Sequence, residues 1–279
     1  MVIAMELTAK ELAYLELYKG LDEGIKVLHP EAPEGYEWIY TMQYNYETIN
    51  TFLTFIATKD IRLLKKVRIK NLDNILDMII TLSDVACRYA FENPLYYQNL
   101  YRYENRKNLE NYELDGLTLS FKSTSKSESE ASVFDYPNTK GLKFRAFGFI
   151  PYIDVDKIVK TNLFSDEKEI LFPPFVGAFL SSETERDYRG EYPVVQLFDS
   201  FDDGDQYSTE AYKTAFNTVK DSFIEELKEC KEKSEVSSEL STYCQLLFSY
   251  LYNTTRVNYK KYAELICITY KMVKTWKNS

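Results

Sequence analysis

The sequence has very few of the residues on which the commonest catalytic sites depend. Histidine occurs once in 279 residues, at His29, which argues against Ser-His-Asp catalysis and histidine-based metal sites. The four cysteines lie far apart and form no C-x-x-C pair, so neither a zinc ribbon nor a thioredoxin-like redox motif is predicted. No glycine-rich loop of the G-x-G-x-x-G or G-x-x-x-x-G-K type is present, which excludes dinucleotide binding of the Rossmann kind. We therefore expect no metal.

Positive charge is also scarce relative to negative charge. A net charge of −9 and a pI near 5.0 argue against a nucleic-acid partner, which would need a basic face to neutralise phosphates. The first residues turn acidic at Glu6, too early for a secretory signal, and no apolar run is long enough to span a membrane. We expect a protein without a membrane partner that is cytoplasmic, or is delivered into a target cell without a cleaved signal peptide.

Hydrophobic periodicity predicts helices in the first third of the chain. Thr8 and Glu11 match a capping box, in which two polar side chains satisfy the free backbone N–H groups of a helix start. The helical pattern that follows covers residues 6–28, and further helices are predicted near 45–57 and 72–92.

Strand patterns dominate the middle of the chain, from about residue 97 to 203, and helical patterns return from Ser208 onward. Within the middle part, residues 120–132 are rich in serine, lysine and glutamate, which is typical of a mobile loop. These patterns predict an α+β protein. Residues 1–205 would form one domain, and residues 206–279 a helical extension packed on it.

Three short polar motifs follow one another in the strand-like part: an arginine at Arg102, the run Ser123-Thr124-Ser125, and a Glu-x-Glu pair at Glu167 and Glu169. Side chains alternate faces along an extended segment, so the two glutamates place two carboxylates on one surface. Each motif also has a simpler explanation. The glutamates fit a solvated acidic edge, the hydroxyls fit a turn, and the arginine fits an ion pair with Glu104 or Glu110.

The order of these motifs resembles that of the ADP-ribosyltransferase superfamily, in the branch marked by an arginine, Ser-Thr-Ser and Glu-x-Glu. The similarity spans roughly Trp38 to Leu197. It implies an ADP-ribosyltransferase-like mixed β-sandwich core flanked by N-terminal and C-terminal helices. It also implies an enzyme that takes NAD as its substrate and a protein as its acceptor. One departure is Tyr103, which stands where the family often has a glycine whose bare backbone approaches nicotinamide.

The resemblance assigns roles on the NAD side of the site. Arg102 would hold a phosphate of NAD or brace the nicotinamide side, which suits a planar and permanently charged group. Ser123 would hydrogen-bond the catalytic carboxylate, while Thr124 and Ser125 shape the wall of the pocket. Glu169 would accept a hydrogen bond from the ribose 2′-hydroxyl and stabilise the oxocarbenium-like sugar that forms as nicotinamide leaves.

On the acceptor side, the resemblance makes Glu167 the residue that orients and helps deprotonate the acceptor, and a glutamate there suits an arginine. Phe134 and Tyr136 would offer an aromatic face to nicotinamide, and Phe164 would contact the acceptor. The resemblance thus implies an arginine-specific mono-ADP-ribosyltransferase. Two alternatives remain, an NAD glycohydrolase that uses water as acceptor and a non-catalytic interaction protein with the same fold. Tyr103 favours the second, because its side chain could crowd the nicotinamide.

Overall fold

The computed structural model describes residues 5–21, 23–31, 34, 37–69, 71–95, 99–105, 116–159, 168–187, 190–198 and 206–277. Within them, helices occupy both ends of the chain and the strands lie between. The larger helices are α1 (Ala9–Tyr18), α3 (Glu37–Tyr44), α4 (Tyr46–Thr58), α6 (Leu72–Glu92), α9 (Gln206–Lys233) and α10 (Ser238–Lys277). One-turn helices are α2 (Ile25–Leu28), α5 (Ile61–Leu64), α7 (Glu128–Ala131) and α8 (Val155–Ile158). The strands are β1 (Leu100–Asn105), β2 (Lys122–Ser125), β3 (Thr139–Phe147), β4 (Ile153–Asp154), β5 (Glu169–Phe172), β6 (Gly177–Asp187) and β7 (Gly190–Phe198).

The predicted capping box begins the first helix. The Thr8 hydroxyl accepts a hydrogen bond from the Glu11 N–H, and the Glu11 carboxylate accepts one from the Thr8 N–H. The helix ends at Tyr18 because Gly20 follows with a φ of +83°, a left-handed conformation that glycine adopts without steric cost. The helical pattern over residues 6–28 is therefore divided between α1 and α2.

The chain forms two compact units, each assembled from separate segments. The helical unit contains Glu6–Asp84 and Asp202–Lys260, and the sheet unit contains Met1–Met5, Val85–Phe201 and Lys261–Ser279. In the helical unit, α4 and the part of α10 up to Lys260 bury apolar side chains at spacings of three and four, the period of a helix with one apolar face. The division of the chain at residues 205 and 206 into a catalytic domain and a helical extension stays a prediction.

The described residues of the sheet unit form a mixed sheet of seven strands in the order β4-β5-β2-β1-β3-β7-β6. Neighbouring strands are antiparallel except β3 and β7, which run parallel. Its buried apolar residues include Leu142 and Phe144 on β3, Ile170 and Phe172 on β5, and Val195 and Leu197 on β7. The strands that carry the predicted motifs, β1, β2 and β5, are thus adjacent.

The α+β class, with a mixed sheet between N-terminal and C-terminal helices, is confirmed. The helices predicted near 45–57 and 72–92 correspond to α4 and α6. Residues 120–132 are more ordered than the sequence predicts, because they contain β2 and α7. No helix in the described ranges is long and apolar enough to cross a lipid bilayer.

Candidate active site

One face of the sheet carries a row of polar residues that crosses four strands. Glu169 on β5 pairs with Ser125 on β2, Ser125 pairs with Tyr101 on β1, and Tyr101 pairs with Lys143 on β3. Directly paired residues of antiparallel strands place their side chains on the same face. Ser123 shares this face, because it lies two residues from Ser125 on the same strand. A carboxylate, two hydroxyls, an aromatic ring and a cation therefore face one way.

Glu169 is the first residue of β5 and is only 3% exposed. The backbone on either side of Glu169 is hydrogen-bonded to β2 and to Lys126, the residue that follows β2. The Thr124 hydroxyl donates to the Ile170 carbonyl over 3.1 Å, and the Lys126 N–H donates to the Lys168 carbonyl over 3.0 Å. Lys168 itself has a φ of +50°, in the left-handed region. The structure thus holds the candidate catalytic carboxylate at a buried and well-anchored strand start.

Two further carboxylates, missed by the sequence analysis, lie on the chain segment next to β5. Asp154 on β4 pairs with Ile170 of β5, and the Asp156 carboxylate accepts a hydrogen bond from the Glu169 N–H. Burial raises the pKa of Asp156 above its ordinary value, and the charges of Asp154 and Glu169 add to this effect, while Lys126 opposes it. Only the pairing of β4 with β5 brings these residues together, so no local sequence signal could have found them.

Arg102 lies on the opposite face, because it follows Tyr101 along β1. Its Nε is 3.0 Å from Oε2 of Glu104, and its Nη1 donates to the Ser123 carbonyl over 2.6 Å. Glu104 is 4% exposed and also binds Lys122, whose Nζ is 3.0 Å from Oε1. Burial lowers the pKa of Lys122, although the Glu104 carboxylate opposes this shift. The structure therefore brings Arg102 to the backbone of the serine motif, and not onto the face of Glu169.

Tyr103 lies beside Gly141, its partner on β3. A Cβ at Gly141 would be 2.8 Å from Cε1 of Tyr192 and 3.2 Å from Cζ of Tyr103, so the glycine allows these two rings to meet over β3. The Tyr192 hydroxyl also donates to Glu128 of α7. Burial raises the pKa of Tyr192, and its hydrogen bonds with Glu128 and Tyr103 raise it further. The Tyr103 ring therefore reaches towards β3 and β7, whereas Glu169 lies beyond β2 on the other side of β1.

Phe134 ends a short 3-10 helix, Ser132–Phe134, and Tyr136 follows this helix. Phe134 and Tyr136 are 54% and 57% exposed and follow α7, which packs against β1 and β2. Thr139 fastens this loop, since its hydroxyl accepts from the Tyr136 N–H over 2.8 Å and lies 3.2 Å from the Phe134 carbonyl. Phe164 and Glu167 lie outside the described residues. Among the residues that the structure describes, no group of three or more His, Cys, Asp or Glu side chains is placed to hold a metal ion.

Comparisons with known proteins gave matches to solved structures alone. No protein-family profile and no curated protein matches the chain. The Vis toxin, an ADP-ribosyltransferase from Vibrio splendidus, is 19% identical over 69% of this chain and 75% of its own, with a TM-score of 0.38. The ADP-ribosyltransferase HopU1 of Pseudomonas syringae pv. tomato DC3000 is 16% identical over 70% of this chain and 89% of its own, with a TM-score of 0.36. An ADP-ribosyltransferase from Clostridium botulinum is 15% identical over 71% of this chain and 98% of its own, also with a TM-score of 0.36.

Proposed function

We propose that this chain is a mono-ADP-ribosyltransferase that cleaves NAD and transfers ADP-ribose to an arginine of a target protein. The observation that carries the proposal is the setting of Glu169, a carboxylate 3% exposed at the start of β5 with Ser125 directly opposite on β2. A preorganised carboxylate in a buried site stabilises a cationic sugar far better than water does. Glycosidases meet the same kind of transition state with carboxylates.

In the proposed reaction, the bond between ribose C1′ and the nicotinamide nitrogen breaks, and its electron pair leaves with nicotinamide. The Glu169 carboxylate accepts a hydrogen bond from the ribose 2′-hydroxyl and stabilises the positive charge that develops on the sugar. A guanidinium nitrogen of the acceptor then forms a bond to C1′ and gives up a proton, for which Glu167 is the proposed base. NAD is consumed as a substrate, and we assign no step to a metal.

The register of β2 and β5 favours Ser125 as the residue that supports the Glu169 carboxylate. Ser123, which the sequence suggested for this role, lies opposite Leu171 on the same face. We therefore propose that Ser123 forms part of the pocket wall. Thr124 faces the other way, and its bond to the Ile170 carbonyl supports a structural contribution to β5.

Charge near Arg102 supports its proposed contact with a phosphate of NAD. Arg102 and Lys122 both bind the carboxylate of Glu104, which places two basic side chains beside one acidic side chain. The Arg102 side chain is 27% exposed, and part of its planar fork can therefore reach a bound anion. This local charge suits a diphosphate substrate in a protein whose net charge is −9.

The packing of Tyr103 favours catalysis over a purely structural use of the fold. Its ring lies with Tyr192 over Gly141, on the side of β1 away from Glu169. A side chain in this position does not fill the space next to Ser125 and Glu169, where nicotinamide would lie. The position of the Tyr103 ring therefore supports a site in which nicotinamide can lie beside Glu169.

The test measures nicotinamide release and ADP-ribose transfer in parallel, with labelled NAD and agmatine or polyarginine as acceptor. Glu169→Gln keeps the shape of the side chain and removes its charge, so both activities should fall by at least about 100-fold. Glu183→Gln is the matched control, because Glu183 is a largely exposed glutamate on β6 of the same sheet. Wild-type rates in Glu169→Gln would contradict the assignment of the catalytic carboxylate.

The acceptor class is tested by Glu167→Gln in the same assay. The acceptor guanidinium loses its anionic partner, so transfer to arginine should be abolished while slow NAD hydrolysis continues through Glu169. Loss of both activities would place Glu167 in the NAD-cleaving machinery. Nicotinamide release by the wild type without any labelled acceptor would identify an NAD glycohydrolase instead.

A further inference from the structure

We propose that Lys126, Asp154 and Asp156, together called the β5 brace, are positioning residues that fix the first peptide of β5 and thereby the orientation of Glu169. This inference rests on the proposed function, because it matters for catalysis only if Glu169 acts on the substrate. None of the three residues belongs to the three motifs, and none is assigned a contact with NAD.

The brace holds one peptide bond from both sides. The Lys168 carbonyl accepts a hydrogen bond from the Lys126 N–H over 3.0 Å, and the Glu169 N–H donates to the Asp156 carboxylate. This carbonyl and this N–H belong to the same planar peptide group, so its rotation would break both bonds at once. Lys168 has a φ of +50°, a conformation that residues other than glycine rarely adopt without support from their surroundings.

An ion pair holds Lys126 in place. Its Nζ binds Oδ2 of Asp154, a side chain that is 3% exposed. The other oxygen, Oδ1, is buried and has no hydrogen-bond partner among the described residues, so within them the cations at Oδ2 balance the charge of Asp154. The second cation is Lys157, whose Nζ is 3.3 Å from Oδ2 of Asp154. The Lys157 side chain is 66% exposed, so water screens this ion pair more strongly than the one with Lys126.

The three contacts connect the segments around Glu169 into one unit. Lys126 follows the end of β2, Asp154 ends β4, and Asp156 lies in α8. In the sheet order β4-β5-β2, these segments lie on both sides of β5. A shift of the Lys168–Glu169 peptide would move the Glu169 carboxylate relative to the sugar, and a misplacement of about 1 Å can cost about 100-fold in rate.

The test compares Lys126→Met with Lys157→Met, because both lysines bind the same oxygen of Asp154. Only the backbone N–H of Lys126 also bonds to the Lys168 carbonyl, so Lys126→Met keeps that bond but removes the ion pair that fixes its position. With nicotinamide release as the assay, Lys126→Met should lower kcat by at least about 10-fold with little change in KM, since the NAD contacts remain. Lys157→Met should leave kcat within about twofold of wild type. Lys126→Arg, which keeps a cation near Asp154, should recover part of the loss.

A second measurement does not depend on activity. Amide hydrogen exchange at Glu169 should be faster in Asp156→Ala and in Lys126→Met than in the wild type, and unchanged in Lys157→Met. If the wild type releases no nicotinamide, the proposed function is wrong, and faster exchange at Glu169 would still support the brace. A folded Lys126→Met protein with wild-type kcat and wild-type exchange would overturn the brace and leave the proposed function standing.

If Lys126→Met fails to fold, the reason is that the buried Asp154 carboxylate has lost its ion-pair partner. The double variant Lys126→Met with Asp154→Asn removes both charges and should fold. Its kcat should remain at least about 10-fold below wild type, because Lys126 is no longer anchored to β4. Wild-type kcat in the double variant would overturn the brace.

Discussion

Glu104→Gln tests the ion cluster that Glu104 forms with Arg102 and Lys122. Glu104 is 4% exposed, and its two oxygens each lie 3.0 Å from a cation, Nε of Arg102 and Nζ of Lys122. The substitution keeps the shape of the side chain and removes its charge. Lys122 is affected most, because only 13% of its side chain is exposed and water cannot replace the carboxylate.

Removing one partner of a buried ion pair costs about 3–5 kcal/mol in the free energy of unfolding. We expect the low end, about 3 kcal/mol, because the glutamine oxygen still accepts one hydrogen bond and Arg102 is partly exposed. At about 2–4 °C per kcal/mol for a protein of this size, Tm should fall by about 6–12 °C.

The loss should also depend on pH. Burial lowers the pKa of Lys122 and Glu104 opposes this, so removal of Glu104 lowers that pKa further. A lysine whose pKa is lower in the folded state binds fewer protons there, and stability then rises as pH rises through the folded pKa. The deficit of Glu104→Gln should therefore shrink between pH 7 and the ordinary lysine pKa of about 10.4.

Urea unfolding of both proteins over this pH range, followed by circular dichroism, measures the effect. Glu229→Gln is the control, because Glu229 pairs with Lys233 at 2.9 Å and both side chains are exposed, so its effect should stay within about 0.5 kcal/mol. A Glu104→Gln protein as stable as the control, or a deficit that grows with pH, would refute the reasoning.

Three other substitutions test the surroundings of the site. Arg102→Lys keeps a cation near Glu104 but loses the planar fork, so calorimetry should show NAD affinity reduced by about 10-fold; an unchanged affinity would place the phosphate contact elsewhere. Gly141→Ala places a Cβ 2.8 Å from the Tyr192 ring, and thermal unfolding should show a loss of about 1–3 kcal/mol; full stability would mean that the rings move apart freely. Asp156 has a raised pKa in the folded state, so wild-type stability should fall as pH rises through that pKa, and Asp156→Asn should lack this fall; parallel pH curves would contradict the assigned shift.

The parts of the fold that local signals determine follow from the sequence. The capping box of Thr8 and Glu11 begins α1, and apolar periodicity places α4 and α6 close to their observed bounds. Strand alternation identifies the middle of the chain as the sheet. These signals act between residues a few positions apart, so a single sequence contains them completely.

Residues 120–132 show where composition misleads. Serine, lysine and glutamate are poor strand formers, yet β2 forms there because β1 and β5 hydrogen-bond to it on either side. The serines then act locally, since Ser125 Oγ accepts from the Ser127 N–H at the start of α7. Pairing with strands distant in sequence overrides the composition of a short segment, and composition alone does not identify its partners.

The faces of the site depend on register, which the sequence does not specify. Alternation within one strand places Ser123 and Ser125 together, but only the pairing of β2 with β5 shows that Ser125 lies opposite Glu169. A shift by one residue would turn Thr124 to that face instead. The same reasoning places Arg102 on the other face, bound to Glu104 and to the Ser123 carbonyl. A phosphate held by Arg102 and a sugar held by Glu169 would thus lie on opposite faces of β1 and β2, and NAD would pass around the strand ends. Unchanged NAD affinity in Arg102→Lys would therefore place the phosphate contact on the face of Glu169.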